Sequence, residues 1–435
     1  MCDDGGSIII RLLTENTVDW DNIIHIYKTK KYNSKSTQAV DWRKRTPLHL
    51  ACIKSAPLEA IKAIIKLCKD LLLQQDYDGL LPIHHLCTET SPVQNFRFVL
   101  NKCPEEVLLH QDRKGYTPLH HCCISGKDVV YFEELIEMSG QESILIKDYQ
   151  RRNVMHLAII HGLGIQHLQL LADTCPRSLN MEDARGYFPL HYACCYPSIS
   201  PHLLQFLVQR NQRVCRIKTN NGSNCLQLLY TAYREDLESD ERFQDDFELA
   251  TVNERQAFSE EILECWQKVV ILIAGNSLKS MPCDSFTAPV HPTSSILLDM
   301  IQLDLCPYIF VRLALLLNTE IVREQDKHGN LPLHFAIGKP VSRRCEANYS
   351  KIIDLLVDTY PDACRIKNYA DKYPLHLAIE REKKWNLGIK KVLEVFPTAI
   401  HSLDLDVRLF PFLLAKLDKH NMFKILSTSN SLMPK

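Results

Sequence analysis

The chain has 435 residues, and its 51 basic and 52 acidic side chains leave a formal net charge of −1 at pH 7. This balance excludes a general electrostatic attraction to nucleic acid or to a membrane surface. The apolar fraction of 46% is typical of a folded chain rather than a disordered one. Length alone predicts about three domains.

The chain carries 17 cysteines, and its first residues, MCDDGGSIIIRLL, are acidic and lack the long apolar core of a secretory signal. No run of about 18 apolar residues occurs, so no membrane insertion is predicted. Cysteines without a secretory context are expected to stay reduced. The sequence therefore predicts an intracellular protein, in the cytoplasm by preference and in the nucleus as the alternative.

One sequence motif recurs along the chain. An Asp and a Gly flank a turn, and a Thr-Pro pair follows. In residues 112–123, DRKGYTPLHHCC, Thr117 predicts a helix cap and Pro118 the first helical residue. The positions equivalent to Thr117 are Thr46, Leu81, Asn153, Phe188, Asn224, Leu331, Tyr373 and Phe410. The first six copies are 35 or 36 residues apart, and a weaker copy begins at Ser295. Self-similarity at this period predicts a repeat solenoid.

Each copy predicts two helices and a turn. A short helix begins at the Pro, and the next has apolar residues three and four apart, as at Leu58, Ile61 and Ile65. Several second helices stop before a Pro, for example at Cys175, because the residue before Pro disfavours the helical conformation. An extended segment is expected to lead from there to the next turn.

These motifs resemble the ankyrin repeat. The resemblance is carried by TPLHLAC at Thr46, TPLHHCC at Thr117, LPLHFAI at Leu331 and YPLHLAI at Tyr373, with an Asp six residues before the Pro in the first three of these copies. The period is longer than the usual value of about 33, and the surplus falls between the second helix and the turn, as in long ankyrin-repeat proteins of diatoms. The resemblance implies an all-α fold, an ankyrin-repeat solenoid of about ten helix-turn-helix units.

The repeats and their interruptions predict six segments. These are an N-terminal capping unit at 1–45, ankyrin repeats at 46–233, an acidic insertion at 234–258, degenerate repeats at 259–330, a C-terminal block of repeats at 331–407, and capping helices with a tail at 408–435. Residues 235–248 hold eight acidic residues and one basic residue. The insertion is therefore either a solvated loop or an internal competitor for the binding surface. The Asn224 and Ser295 copies are predicted to be the weakest links.

Histidine recurs at the third helical position, and Cys follows three residues later in four copies: Cys52, Cys87, Cys123 and Cys194. Because residues three apart share a helix face, a metal-binding protein is one alternative. The resemblance implies instead that the His bonds near the helix start and ties adjacent turns together. We predict no metal and no cofactor. The pairs Cys122-Cys123 and Cys194-Cys195 leave a redox sensor open.

Catalytic signatures such as G-x-S-x-G, H-E-x-x-H and the Walker A motif do not occur in the sequence. We predict no catalysis and no small-molecule substrate. An enzyme concealed in the repeats remains the alternative from another class.

The turns concentrate basic residues. The five residues after each Asp equivalent hold 11 basic and three acidic residues over nine copies. The resemblance implies that these turns project beside the concave face, where partners bind, and Tyr and Arg are favoured at interfaces. We predict a protein–protein interaction scaffold or adaptor for an acidic or extended partner surface, with nucleic-acid binding as an alternative. The predicted partner-binding residues are Arg43, Arg113, Lys114, Tyr116, Arg151, Arg152, Arg185, Tyr187, Lys327, His328 and Lys372.

Overall fold

The computed structural model describes residues 5–15, 17–29, 39–240, 258–277, 294–303, 306–340, 346–381, 383, 387 and 389–396. Every regular element in these ranges is a helix. The prediction of an all-α fold is therefore confirmed. The predicted capping helices at 408–435 lie outside the described residues, as do residues 241–257 of the acidic insertion.

The chain forms two compact units. Unit 1 comprises Met1–Ala193 with Thr219–Asn221, and unit 2 comprises Cys194–Lys218 with Gly222–Lys435. Unit 1 contains helices α1 to α11 and most of α12: α1 Gly5–Thr14, α2 Trp20–Lys28, α3 Pro47–Ile53, α4 Leu58–Leu67, α5 Pro82–Thr88, α6 Val93–Leu100, α7 Glu105–Leu108, α8 Pro118–Ser125, α9 Val129–Ser139, α10 Val154–Ile160, α11 Ile165–Thr174 and α12 Pro189–Cys195.

Unit 2 contains the remaining helices: α13 Pro201–Arg210, α14 Cys225–Ala232, α15 Arg234–Ser239, α16 Glu260–Ser277, α17 Ser294–Gln302, α18 Tyr308–Leu317, α19 Pro332–Gly338, α20 Glu346–Thr359, α21 Pro374–Glu380 and α22 Lys390–Val395. Helix α15 occupies the start of the predicted insertion. In both units a short helix is followed by a second helix, and each kind packs on its counterpart in the neighbouring pair, as α3 does on α5 and α2 on α4.

The helix starts follow from local chemistry. The side chains of Thr46 and Asn153 accept a hydrogen bond from the backbone N–H three residues later, which satisfies a donor that has no partner in the helix. Proline supplies the first residue of α3 and α8, where its fixed φ suits the helix and its missing N–H costs nothing.

The surplus residues of the long repeat form a short 3-10 helix in most copies. This element spans Lys69–Leu73, Gln141–Leu145, Pro176–Asn180, Gln212–Arg216, Thr319–Arg323 and Pro361–Arg365. The expectation of a purely extended segment was wrong at this point. The element buries apolar residues such as Leu71 and Leu179, so the extra residues enlarge the core of each repeat.

The core lies between the helices of each pair and its neighbours. In α4, Ile61 and Ile64 have no exposed surface, and burial of such a side chain is worth about 1.5–3 kcal/mol. In unit 2, Trp266 of α16 is fully buried. Beside it, the Nζ of Lys268 donates to the Pro197 carbonyl at 2.8 Å and to the Tyr233 hydroxyl at 2.6 Å.

Candidate partner-binding surface

Seven of the described turns that precede a repeat helix are built around one Asp or Asn side chain. In residues 112–116, Oδ1 of Asp112 accepts hydrogen bonds from the backbone N–H groups of Lys114 and Tyr116, both at 2.8 Å. The Asp112 N–H donates to the Tyr116 carbonyl at 3.0 Å. Equivalent side-chain bonds close the turns that begin at Asp41, Asp76, Asp148, Asp183, Asp326 and Asn368. We call these five-residue turns the tips.

The fourth residue of each tip has a left-handed backbone. Gly115 has a φ of 82°, and an added Cβ there would lie 2.8 Å from the backbone nitrogen of Tyr149. At residue 115 both the backbone angle and the close approach of the next tip favour glycine. Lys44, Arg151 and Asp371 occupy the same position with φ between 59° and 62°. A residue with a Cβ is strained in this region, and such strain concentrates at functional sites.

The second carboxylate oxygen of the tip Asp has its own partner. In three tips of unit 1 this partner is a polar side chain nine residues later, and the pairs are Asp76 with His85 at 3.1 Å, Asp112 with His121 at 3.0 Å and Asp183 with Tyr192 at 2.7 Å. Burial alone would raise the pKa of Asp112, but the hydrogen bonds from His121 and from the tip N–H groups lower it. The carboxylate is therefore held in its charged form.

The other two tips of unit 1 use a different partner because the residue nine positions later is leucine. The Nε of Arg45 donates to Oδ2 of Asp41 at 2.7 Å, and that of Arg152 donates to Oδ2 of Asp148 at 2.8 Å. Both arginines lie four residues after the Asp, inside the tip. Arg45 and Arg152 are therefore internal partners of a buried or half-buried carboxylate.

The predicted partner-binding residues divide by exposure. Seven of the eleven are exposed: Arg43, Arg113, Lys114, Arg151, Arg185, Lys327 and His328. The other four are half-buried: Tyr116, Arg152, Tyr187 and Lys372. The Arg152 guanidinium also donates to the Tyr116 hydroxyl at 3.0 Å, and the Tyr187 ring packs against Tyr192 with centroids 5.3 Å apart. The Arg152–Tyr116 bond joins neighbouring repeats, whereas Tyr187 packs within its own repeat. Partner binding by any of the eleven stays a prediction.

Backbone hydrogen bonds join neighbouring tips of unit 1. They run from Tyr77 N–H to the Arg43 carbonyl at 2.7 Å, from Arg113 to Asp78 at 3.1 Å, from Tyr149 to Lys114 at 3.3 Å and from Ala184 to Gln150 at 3.0 Å. The tips at 41–45, 76–80, 112–116, 148–152 and 183–187 are thereby fixed in order beside one another. We call this set the tip row.

The tip row is rich in uncompensated positive charge. Six exposed cationic side chains form no salt bridge within the described part of the chain, and they are Arg43, Lys44, Arg113, Lys114, Arg151 and Arg185. Among the acidic side chains of the five tips, only Asp78 is exposed. The row therefore presents a positive surface although the whole chain is nearly neutral.

Exposed aromatic rings accompany these cations. Trp42 is 79% exposed, Tyr77 55% and Tyr149 73%. The Arg43 guanidinium lies 4.6 Å from the centroid of the Trp42 ring, and that of Arg113 lies 4.8 Å from the centroid of Tyr77. Trp42 was missed in the sequence prediction, although it follows its tip Asp directly, as Tyr77 and Tyr149 do.

Two described tips belong to unit 2, and one of them has its cation paired. In the tip at 368–372, the Nζ of Lys372 lies 2.6 Å from Glu380. Asp371 in the same tip pairs with Lys367 at 2.7 Å. In the tip at 326–330, Lys327 and His328 are exposed. The positive surface is thus denser in unit 1.

The recurrent histidines have a structural role. Nδ1 of His49 accepts from the Thr46 N–H at 3.1 Å, and Nε2 donates to the Leu80 carbonyl of the next repeat at 3.0 Å. His156 makes the same two bonds, at 3.2 Å and 3.0 Å. Burial lowers the pKa of both residues to about 4, so both are neutral at pH 7, as these bonds require.

The cysteines offer little reactive thiol. Cys122, Cys123 and Cys194 are buried, and burial raises the pKa of the half-buried Cys195 to about 11, which disfavours the reactive thiolate. In the described ranges, no three His, Cys, Asp or Glu side chains converge in a metal-binding group. No helix in the same ranges is long and apolar enough to cross a membrane.

Comparison with known proteins gives structural neighbours only. No protein-family model matches the chain, and no curated protein matches it. A chain from the complex of the predatory endopeptidase Bd0816 of Bdellovibrio bacteriovorus with immunity protein Bd3460 is 17% identical, with a TM-score of 0.38, over 45% of this chain and 94% of that one. The ankyrin repeat domain of Bcl-3, a member of the IkappaB family, is 18% identical, with a TM-score of 0.40, over 51% of this chain and 92% of that one. The assignment of ankyrin-type repeats rests on this chain's own tips, caps and histidine bonds.

Proposed function

We propose that the protein is a non-catalytic scaffold that binds an acidic partner protein through the tip row of unit 1. The observation that carries the proposal is the set of six exposed cations that form no salt bridge within the described residues. Cations that serve only folding are paired within the tips, as Arg45 and Arg152 are with Asp41 and Asp148. The unpaired ones contribute little to stability and remain available to a partner.

The aromatic side chains support the same proposal. Tyrosine, tryptophan and arginine are the residues most enriched at binding hot spots, and all three are exposed in the tip row at Trp42, Tyr77 and Arg113. Rigid tips add to this, because side chains on an ordered surface lose less conformational entropy when a partner binds.

The test is affinity capture with the full chain, followed by identification of the captured proteins. Charge reversal at three exposed positions, Arg113→Glu, Arg151→Glu and Arg185→Glu together, is expected to abolish capture of the main partner. The matched control is a triple reversal of exposed cations in unit 2 that already have partners: Arg323→Glu, Arg365→Glu and Lys367→Glu. Capture that survives the first variant, or that is lost equally in both, would remove the tip row as the binding surface.

A further inference from the structure

The free cations are distributed over all five tips of the tip row. Numbered in chain order from the tip at 41–45, tips 1, 3, 4 and 5 contribute Arg43, Lys114, Arg151 and Arg185, and tip 2, at 76–80, contributes no cation of its own. The guanidinium of Arg113, from tip 3, lies 4.8 Å from the ring centroid of Tyr77 and so covers tip 2. Each of the five tips therefore presents at least one free positive group.

The step from one tip to the next follows from the packing of the repeats. Adjacent tips are joined by backbone hydrogen bonds and follow packed helices, whose axes lie about 8–10 Å apart. An extended peptide rises about 3.3 Å per residue. Three residues of an extended peptide therefore match the step from one tip to the next.

We propose that the tip row binds an extended segment of a partner protein in which Asp or Glu recurs at every third residue over about 13 residues. This inference rests on the proposed function and specifies the partner's chemistry. The carboxylates at the first, fourth, seventh, tenth and thirteenth positions meet the five tips in turn. The residues between them contact the exposed rings of Trp42 and Tyr149.

Arg43 and Arg113, which serve the first two tips, are already positioned to bind carboxylates. Arg43 is stacked on Trp42 and Arg113 on Tyr77, so each guanidinium is positioned before the ligand arrives. A planar guanidinium binds a carboxylate with two parallel hydrogen bonds, which fixes the ligand's register as well as its charge. Stacking leaves the edges of the guanidinium, which carry the donors, open to solvent.

The Asp and His groups below the row do not compete for this ligand. Oδ1 of each tip Asp accepts two backbone N–H groups, and Oδ2 is bonded to His85, His121 or Tyr192 or to an arginine. The negative charge of each tip Asp is therefore compensated by hydrogen bonds within the tip. Asp78 is the one exposed acid, and it stands in tip 2 beside the added cation of Arg113.

The experiment measures fluorescence anisotropy of labelled 13-residue peptides with the full chain. Peptide A carries Glu at every third position among neutral residues, and peptide B has the same composition with its five Glu residues contiguous. Peptide A is expected to bind about tenfold more tightly, a difference of about 1.4 kcal/mol. Equal affinities would overturn the proposed register, and so would tighter binding of a single-stranded oligonucleotide of equal charge.

Two sets of variants locate the site and distinguish the charge of the arginines from the positioning of Arg113 by Tyr77. Arg43→Ala with Arg113→Ala is expected to abolish the preference for peptide A. Lys62→Ala, which removes a half-buried lysine of α4 paired with Glu59 at 2.9 Å, is expected to leave the preference unchanged. Tyr77→Ala is expected to weaken peptide A and Tyr77→Phe to restore it, because the ring positions Arg113. Thermal unfolding checks that each variant is folded.

Failure of the register and failure of the proposed function give different results. If peptides A and B bind equally while partner capture still depends on Arg113, Arg151 and Arg185, the tip row binds an acidic folded surface and the register is wrong. If partner capture does not depend on these arginines, both the proposed register and the proposed function are wrong.

Discussion

The tips of unit 1 and those of unit 2 share one backbone design and differ in how their charges are used. Asp112 in unit 1 and Asp326 in unit 2 bond the same two tip N–H groups at 2.7–2.8 Å. Around this common turn, unit 1 leaves six cations free, whereas Lys372 of unit 2 is paired with Glu380. The turn is therefore common to both units, and the side chains placed on it make the tips of unit 1 more positive than those of unit 2.

The residue at the histidine position gives a second comparison between the repeats. In unit 1 burial lowers the pKa of His49, His120 and His156 to about 4 and that of His84 to about 3. In unit 2, burial also lowers the pKa of His334 and His376, but Gln227 replaces the histidine in the Asn224 copy and accepts the Asn224 N–H at 3.2 Å without titrating. Acid sensitivity is therefore expected in the histidine-capped repeats, of which unit 1 has more, and not in the cap of the Asn224 copy.

The largest predicted effect is acid destabilisation of unit 1. An unfolded histidine titrates near its ordinary pKa of 6.5, so below that pH the unfolded state binds more protons than the folded state. Stability is full above about pH 6.5 and falls as the pH drops toward 4. At pH 5 each of the four histidines is expected to cost about 2 kcal/mol. Amide hydrogen exchange at pH 7.5 and at pH 5 measures this loss of stability.

The comparison predicts where protection is lost. Amides of α3, α5, α8 and α10 are expected to lose protection at pH 5 far more than those of α14, whose cap uses Gln227. Equal loss in α14 and in the four histidine-capped helices would contradict the assignment of the acid sensitivity to these histidines.

The second prediction tests the spacing within the tip row. Gly115→Ala places a Cβ in a left-handed backbone and 2.8 Å from the Tyr149 nitrogen, and the expected loss of stability is about 3 kcal/mol. The control is Gly126→Ala, where φ is 64° and no atom lies within 4 Å. It is expected to cost about 1 kcal/mol. Urea denaturation compares the two, and equal losses would mean that contact between tips adds nothing.

The sequence predicted the repeats, the caps and the positions of the tips because each depends on local chemistry. The roles of Thr117, Pro118 and Gly115 could be predicted from such local patterns. The exposure of Arg113 and Arg151 follows from their place in the turn. The role of Arg152 could not be predicted from the sequence in the same way. Arg151 and Arg152 are identical residues side by side, and only the contact with Asp148 shows that one is internal. That contact depends on the leucine at position 157, nine residues after the Asp.

The third prediction uses this neighbouring pair. Arg152→Ala leaves the buried Oδ2 of Asp148 without its partner and is expected to cost about 2 kcal/mol. Arg151→Ala removes an exposed side chain with no internal bond, so stability is expected to change little while partner capture weakens. Each variant is measured by denaturation and by capture. Should Arg151→Ala destabilise the fold as much as Arg152→Ala does, the separation of internal and free cations would be wrong.

The smallest predicted effect concerns the strained tip residue. Arg151 has a φ of 62°, and Arg151→Gly relieves the left-handed strain at the cost of a more flexible unfolded chain, for an expected net gain of about 0.5 kcal/mol. The same variant removes a free cation, so partner capture is expected to fall as stability rises. Arg151→Asn is the companion variant, since Asn tolerates this backbone and lacks the charge. Weaker capture by both variants would mean that the arginine is retained at this strained position for its charge, whereas unchanged capture by both would place the fourth tip outside the binding surface.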